Sequence, residues 1–242
     1  MNIILLRKND FIDPDTVVLK GRRKEHILNV LKGKKGEDLF CGLVNGSMGP
    51  GRITAIDLSM VKLKVTLEQE PPPALPLTLV LALPRPKMLK RILESSTALG
   101  VKKIFLINAW RVEKSYWQSP VLRDENIDKI LSLGLEQAKD TVMPELFKKK
   151  LFTPFVKQEL KTISKDSMCI TAHPKAEIPC PGNITCRTTL VLGPEGGFID
   201  REIETLETIG FQSVNLGRRI LRTETAVPVI ISRLFSTAIT SP

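Results

Sequence analysis

Thr188-Thr189-Leu190-Val191-Leu192 is an uninterrupted β-branched and aliphatic run, and Gly193-Pro194-Glu195-Gly196-Gly197-Phe198 follows it directly. A run of that length and composition predicts a strand buried on both faces, as in a parallel sheet. In open α/β sheets, ligands sit beyond the carboxyl ends of the strands. Gly193, Gly196 and Gly197 free the backbone for unusual angles and for close approach to a ligand. Pro194 stiffens the turn, and Glu195 places one carboxylate at the ligand-facing end. A tight turn is the plainer reading of such a loop taken alone. The loop lacks GxGxxG and GxxxxGK[ST], so neither a dinucleotide fingerprint nor a P-loop is present.

A second loop repeats the arrangement. Asn215-Leu216-Gly217-Arg218-Arg219-Ile220-Leu221-Arg222-Thr223-Glu224-Thr225-Ala226 follows a short strand, Gln212 to Leu216, and leads into a helix from about Ala226 to Ile239. Thr225 is the expected N-cap, which puts Pro228 at the third helical position, where no intrahelical N–H is needed. The unpaired donors of a helix N-terminus suit carboxylate or carbonyl acceptors. Arg218, Arg219 and Arg222 are more cations than a connector needs, although a solvated pair is the alternative for Arg218 and Arg219.

Outward from these loops, strands alternate with helices. Leu77 to Leu83, Lys103 to Ile107 and Met168 to Ala172 read as strands. Lys87 to Leu99, closed by Gly100, Asp124 to Ala138, and Asp200 to Ile209, closed by Gly210, read as helices. The alternation predicts a parallel α/β sheet. Glu68-Gln69-Glu70-Pro71-Pro72-Pro73-Ala74-Leu75-Pro76 predicts an extended linker. Before it, Glu37 to Val44 and Gly51 to Asp57 flank an Asn45-Gly46 turn, and Ser59 to Leu67 alternates apolar and polar residues. These predict a hairpin and a small barrel. A short helix is expected over Arg23 to Leu31.

The 242 residues fit one large or two small domains, and a hydrophobic share of 42% supports a packed core. No apolar run reaches the roughly 18 residues of a membrane span, and Met1 to Asp10 does not read as a signal peptide. Cys41, Cys169, Cys180 and Cys186 show no CxxC spacing, so free thiols, a cytoplasmic location and no metal site are expected. A formal charge of +10 favours a polyanionic partner.

Taken together, LGPEGGF (192–198) and LGRRILRTETA (216–226) resemble the 16S rRNA uridine-N3 methyltransferase (RsmE) family of the SPOUT superfamily. Leu83-Pro84, the segment Thr97-Ala98-Leu99-Gly100-Val101, Glu136-Gln137-Ala138 and the stretch Lys24 to Leu31 carry the likeness across the chain. Glu94-Ser95-Ser96, Lys32, the stretch Val112 to Trp117 and Asp140-Thr141-Val142-Met143-Pro144 depart from it. The resemblance implies a PUA-like β-barrel RNA-binding domain over residues 1–70, a Pro-rich linker at 71–76 and a trefoil-knotted SPOUT α/β methyltransferase domain over 77–242. It implies S-adenosyl-L-methionine as cofactor, 16S rRNA or the small ribosomal subunit as partner, and a homodimer. The cofactor set it implies is Leu192, Gly193, Pro194, Glu195, Gly196, Gly197, Leu216, Gly217, Ile220, Leu221, Arg222, Thr223, Glu224, Thr225 and Ala226. Ala172-His173-Pro174 is expected as a third wall.

Arg222 is the expected catalytic group, stabilising charge on the uracil oxygens or gripping a phosphate. Arg7, Lys20, Arg22, Arg23, Lys24, Lys32, Lys34 and Lys35 form the expected RNA-contacting cluster, with a solvated surface as the alternative. Lys148-Lys149-Lys150 is a second basic run, and Tyr116 and Trp117 are candidates for stacking on a base. Two rival functions remain: a related enzyme methylating another RNA base, and a catalytically silent RNA-binding assembly factor.

Overall fold

The computed structural model describes residues 2–236. Internal contacts divide the chain into two compact units, Met1–Pro73 with Ser132–Met143, and Ala74–Leu131 with Pro144–Pro242.

The first unit holds β1 (Ile4–Leu6), β2 (Phe11–Asp13), β3 (Thr16–Leu19), α1 (Gly21–Glu25), β4 (Asp38–Leu43), β5 (Met48–Ile56) and β6 (Val61–Val65). The strands form a six-stranded sheet in the order β1-β4-β5-β6-β3-β2, in which the β1–β4 pair is parallel. The alternation Val61-Lys62-Leu63-Lys64-Val65 buries its three apolar residues beside Leu6, Val17, Leu19, Ile27 and Ile53. The expected hairpin turn forms at Asn45, whose φ of 59° is the left-handed conformation that Asn tolerates. The helix expected over Arg23 to Leu31 begins earlier, at Gly21, and loosens into a π-helical turn over His26–Val30. The Leu31 N–H bonds the His26 carbonyl five residues back at 3.0 Å. Residues 132–143 belong to this unit through contacts such as Asn2 N–H to the Glu136 carbonyl at 2.7 Å.

The second unit holds β7 (Leu77–Ala82), α2 (Pro86–Ala98), β8 (Lys103–Ile107), the start of α3 (Asp124–Ala138), β9 (Glu145–Lys149), α4 (Phe152–Pro154), a π-helical stretch Phe155–Leu160, α5 (Lys161–Ile163), β10 (Met168–Ala172), β11 (Thr188–Leu192), α6 (Asp200–Glu207), β12 (Gln212–Val214) and α7 (Thr223–Leu234). Its six strands are all parallel, in the order β12-β10-β11-β7-β8-β9. Every residue of β11 is buried, as the run of apolar and β-branched side chains requires. From β7 the chain winds outward through β8 and β9, then returns to build β10, β11 and β12 on the other side. The winding therefore reverses between β7 and β11, the kind of switch point that opens a crevice at the carboxyl ends.

α7 corrects the expected boundary. It starts at Thr223, Arg222 rather than Thr225 is the N-cap, and Pro228 falls inside the helix at its sixth position. The Arg222 carbonyl already accepts the N–H groups of Thr225 and Ala226 at 2.9 and 2.8 Å, so the helical ladder is under way before Thr225. The expected continuation through residues 237–239 lies outside the described residues. β9 and the helical stretch 152–163 were not anticipated. All four cysteines are unpaired, and burial pushes the Cys41 and Cys180 thiols up to about 12 and about 11. Among the described residues, no helix is long and apolar enough to cross a membrane.

Candidate functional site

Three strand-to-loop exits converge at the carboxyl end of the parallel sheet. Ala172, His173 and Pro174 leave β10, residues 192–198 without Gly196 leave β11, and residues 214–221 without Asn215 leave β12; together with Thr223 and Ala226 of α7 they line a solvent-open cavity of about 190 Å³. The geometry of the glycines explains its shape. Gly197 has a φ of +71°, which side-chain-bearing residues rarely adopt. At Gly193 a Cβ would stand 3.0 Å from the Phe198 backbone nitrogen, a tight contact that glycine spares the loop.

The loops are held by long-range hydrogen bonds. Glu195 Oε1 accepts the Arg85 backbone N–H at 2.9 Å, tying the first loop to the N-cap of α2. The Gly196 carbonyl accepts from the Arg111 guanidinium. Asn215 Nδ2 donates to the Ala176 carbonyl at 2.8 Å while its Oδ1 accepts the Gly217 N–H at 2.9 Å, fixing the start of the second loop. His173 donates its backbone N–H to the Val214 carbonyl at 2.9 Å. Burial, then the charge of Lys175, holds the His173 imidazole below the ordinary histidine value of 6.5. The ring is therefore uncharged at neutral pH.

Of the residues expected around a cofactor, Leu192, Gly193, Pro194, Glu195, Gly197, Leu216, Gly217, Ile220, Leu221, Thr223 and Ala226 line the cavity. Gly196, Arg222, Glu224 and Thr225 do not. Gly196 faces Arg111 instead, where an added Cβ would meet the Arg111 side chain at 3.1 Å. Arg222 stands exposed at the N-cap of α7, and its guanidinium makes no hydrogen bond or ion pair with another described residue. Phe198, Val214, Arg218 and Arg219 also line the cavity, although sequence reasoning did not assign them to it. Arg85 and Arg111 were missed entirely, since no local pattern signals a partner about a hundred residues away.

The basic residues of the first unit divide into two sets. Arg23 makes a bidentate pair with Asp10 at 2.5 and 2.6 Å and donates to the Leu5 carbonyl, Arg22 pairs with the buried Glu136, Lys24 bonds the Leu58 carbonyl and Glu25, and Arg7 bonds Ser132. These four side chains tie the unit together. Lys20, Lys32, Lys34 and Lys35 are exposed, and their ammonium groups make no bond with another described residue. In the second unit, Lys148 bonds the Leu122 carbonyl and Asp124, and Lys149 pairs with Glu159.

An RNA methyltransferase domain family matches residues 70–235. The ribosomal RNA small subunit methyltransferase E of Treponema pallidum is 31% identical over 232 residues, covering 93% of this chain and 87% of that protein. The ribosomal RNA small subunit methyltransferase E 1 of Borreliella burgdorferi is 25% identical over 230 residues, covering 93% and 94%. Among solved structures, the Neisseria gonorrhoeae ribosomal RNA small subunit methyltransferase E bound to S-adenosyl methionine superposes with a TM-score of 0.74 at 23% identity, covering 96% of this chain and 95% of that one. A putative methyltransferase from Legionella pneumophila with bound S-adenosyl methionine gives 0.72 at 23% identity and the same coverage. These two structures share the fold over nearly the whole length.

Proposed function

This chain belongs to the RNA methyltransferase family of the ribosomal RNA small subunit methyltransferases E, and on that premise we propose that it transfers a methyl group from S-adenosyl-L-methionine to N3 of a uridine in 16S rRNA. The observation that carries the reading is the cavity at the ends of β10, β11 and β12, whose walls are the two motif loops.

The cavity's chemistry fits the cofactor. Leu192, Leu216, Ile220 and Leu221 supply apolar surface for a purine, and backbone groups of the loops supply donors and acceptors. The glycine backbone at 193, 197 and 217 leaves room where a Cβ would intrude or strain the chain. An uncharged His173 is compatible with a cationic sulfonium. When bound, the cofactor supplies the electrophilic methyl. The protein's part is orientation and electrostatics. Uracil N3 lies on the pairing edge and carries a proton, so the base must be unpaired and must lose that proton around transfer. Arg222, free at the cavity's edge, takes the charge that develops on the uracil oxygens. Arg218 and Arg219 hold phosphate beside it, and Lys20, Lys32, Lys34 and Lys35 of the first unit add backbone contacts to the RNA.

We further propose that the second unit is knotted as in SPOUT enzymes, that the first is a PUA-like barrel, and that the protein works as a homodimer in the cytoplasm. The knot is supported by the path of the chain: after the edge strand β12 it returns to pack α7 on α2, with the loop after β12 and the loop after β11 lining one cavity. The reading is tested by incubating the protein with labelled S-adenosyl-L-methionine and either small ribosomal subunits or free 16S rRNA. Label in the RNA is expected. Tight cofactor binding with no label in either substrate overturns it in favour of a silent RNA-binding factor.

A further inference from the structure

Beyond the cofactor cavity, Ile199 and the chain after β8 border a second concavity. Asn108, Trp110 and Lys114, which follow β8, face Phe152 at the start of α4 and Arg201 and Glu202 of α6 across a groove of about 730 Å³. We propose that this groove holds an unpaired nucleotide of the RNA beside the target, its base stacked on Trp110 and its phosphate gripped by Lys114 and Arg201. The proposal rests on the methyltransferase reading above.

Four observations carry it. Trp110 is 77% exposed, so its ring face is open for a base to stack on. Its backbone is fixed nonetheless: Glu202, 6% exposed, accepts the Trp110 N–H on Oε1 at 2.8 Å and the Ile199 N–H on Oε2 at 3.0 Å. The buried carboxylate is thus spent on two backbone donors, and it presents the ring on a rigid base. The side chains of Lys114 and Arg201 line the same groove, are exposed, and make no hydrogen bond or ion pair with another described residue. An aromatic platform flanked by two uncommitted cations is the arrangement that recognises single-stranded nucleic acid. Finally, the groove neighbours the cofactor cavity, because the ring of Phe152, which lines the groove, packs against that of Phe198, which lines the cavity, with ring centroids 5.9 Å apart. A base seated on Trp110 would be next to the methyl donor's site rather than remote from it. Tyr116 and Trp117, the aromatics that the sequence singled out, are half-buried, and the Trp117 indole N–H is committed to Asn108 Oδ1 at 3.0 Å.

The test measures the affinity of the full-length protein for a labelled single-stranded RNA decamer and for its duplex by fluorescence anisotropy across a salt series, with cofactor affinity and oligomeric state followed in parallel. Trp110→Ala is expected to weaken single-strand binding on the order of tenfold, as loss of one stacked base should. Trp110→Phe should restore most of it. Lys114→Glu with Arg201→Glu should weaken binding and flatten its salt dependence. Cofactor affinity should hold throughout. Wild-type RNA affinity in both Trp110→Ala and the double reversal overturns the proposal. So does a Trp110→Ala variant that changes oligomeric state while binding RNA normally, which would assign the ring to a protein contact. Because RNA affinity is read without turnover, failure of the groove is distinguishable from failure of the methyltransferase reading, which shows as absent methylation in the wild type.

Discussion

Glu195 Oε1 accepts the backbone N–H of Arg85 at 2.9 Å, across 110 residues of sequence. The bond joins the loop after β11 to the N-terminus of α2, at the crevice where the winding of the sheet reverses. A carboxylate at that position also meets the positive end of the helix dipole. Glu195→Ala should therefore loosen the loop and weaken cofactor binding by about tenfold, the equivalent of about 1.4 kcal/mol. Glu195→Gln keeps an acceptor oxygen and should lose much less. Calorimetric titration checks both; equal affinity in the alanine variant would show that the loop holds its shape without the contact.

The glycines of that loop should not be equivalent. Gly197 needs its positive φ of +71°, and Gly193 abuts the Phe198 backbone, whereas Gly196 faces only the flexible Arg111 side chain. Gly197→Val is expected to abolish measurable cofactor binding in a folded protein, while Gly196→Ala stays within a few-fold of wild type. The reverse ranking by titration would place the cofactor against Gly196.

Arg222 should matter to turnover rather than to folding, since its guanidinium is exposed and bonds no other described residue. Loss of one preorganised donor at developing charge costs roughly 10²–10³ in rate, so Arg222→Ala should lose about that much. Arg222→Lys should recover little, because an ammonium cannot form the two-pronged contact. Single-turnover methylation at saturating RNA and cofactor measures this step. A near-normal melting temperature is expected for both variants.

In the first unit, substitutions of the two basic sets should separate folding from RNA binding. Arg23→Ala breaks the bidentate pair with Asp10 and the bond to the Leu5 carbonyl, and should destabilise the protein by about 1–3 kcal/mol in denaturant titrations. Lys32→Glu with Lys34→Glu and Lys35→Glu should leave stability unchanged while weakening RNA binding and lowering its salt slope.

The pH dependence of cofactor affinity should report on His173. Its ring titrates below the ordinary value of 6.5 because burial and Lys175 disfavour the charged form. Affinity should be flat between about pH 8 and pH 7 and fall below pH 6.5, as the ring gains charge beside a cationic ligand. His173→Asn should remove that fall.

Much of this was legible in the sequence because the decisive signals are local. The wholly buried, β-branched and aliphatic β11, the glycine loop after it and the Gly100 and Gly210 helix stops each declare themselves within a few residues. β9 did not, since Glu145-Leu146-Phe147-Lys148-Lys149 is a half-exposed edge strand whose lysines read as surface. The helical stretch 152–163 hid behind Pro154 and its π-helical middle. Arg22, Arg23 and Lys24 looked like an RNA-binding run because their partners, Asp10 and Glu136 among them, are distant in sequence or fall in the segment 132–143. The groove under Trp110 is tertiary in the same sense: Glu202 reaches it across 92 residues.

Methyl transfer to uridine N3 is read most directly by nucleoside mass spectrometry of 16S rRNA with fragment mapping, before and after incubation with the protein and S-adenosyl-L-methionine. One new 3-methyluridine is expected, absent without cofactor and formed far more slowly by Arg222→Ala. A methyl group on a different base, or no new methylated nucleoside in RNA that the protein demonstrably binds, would contradict it.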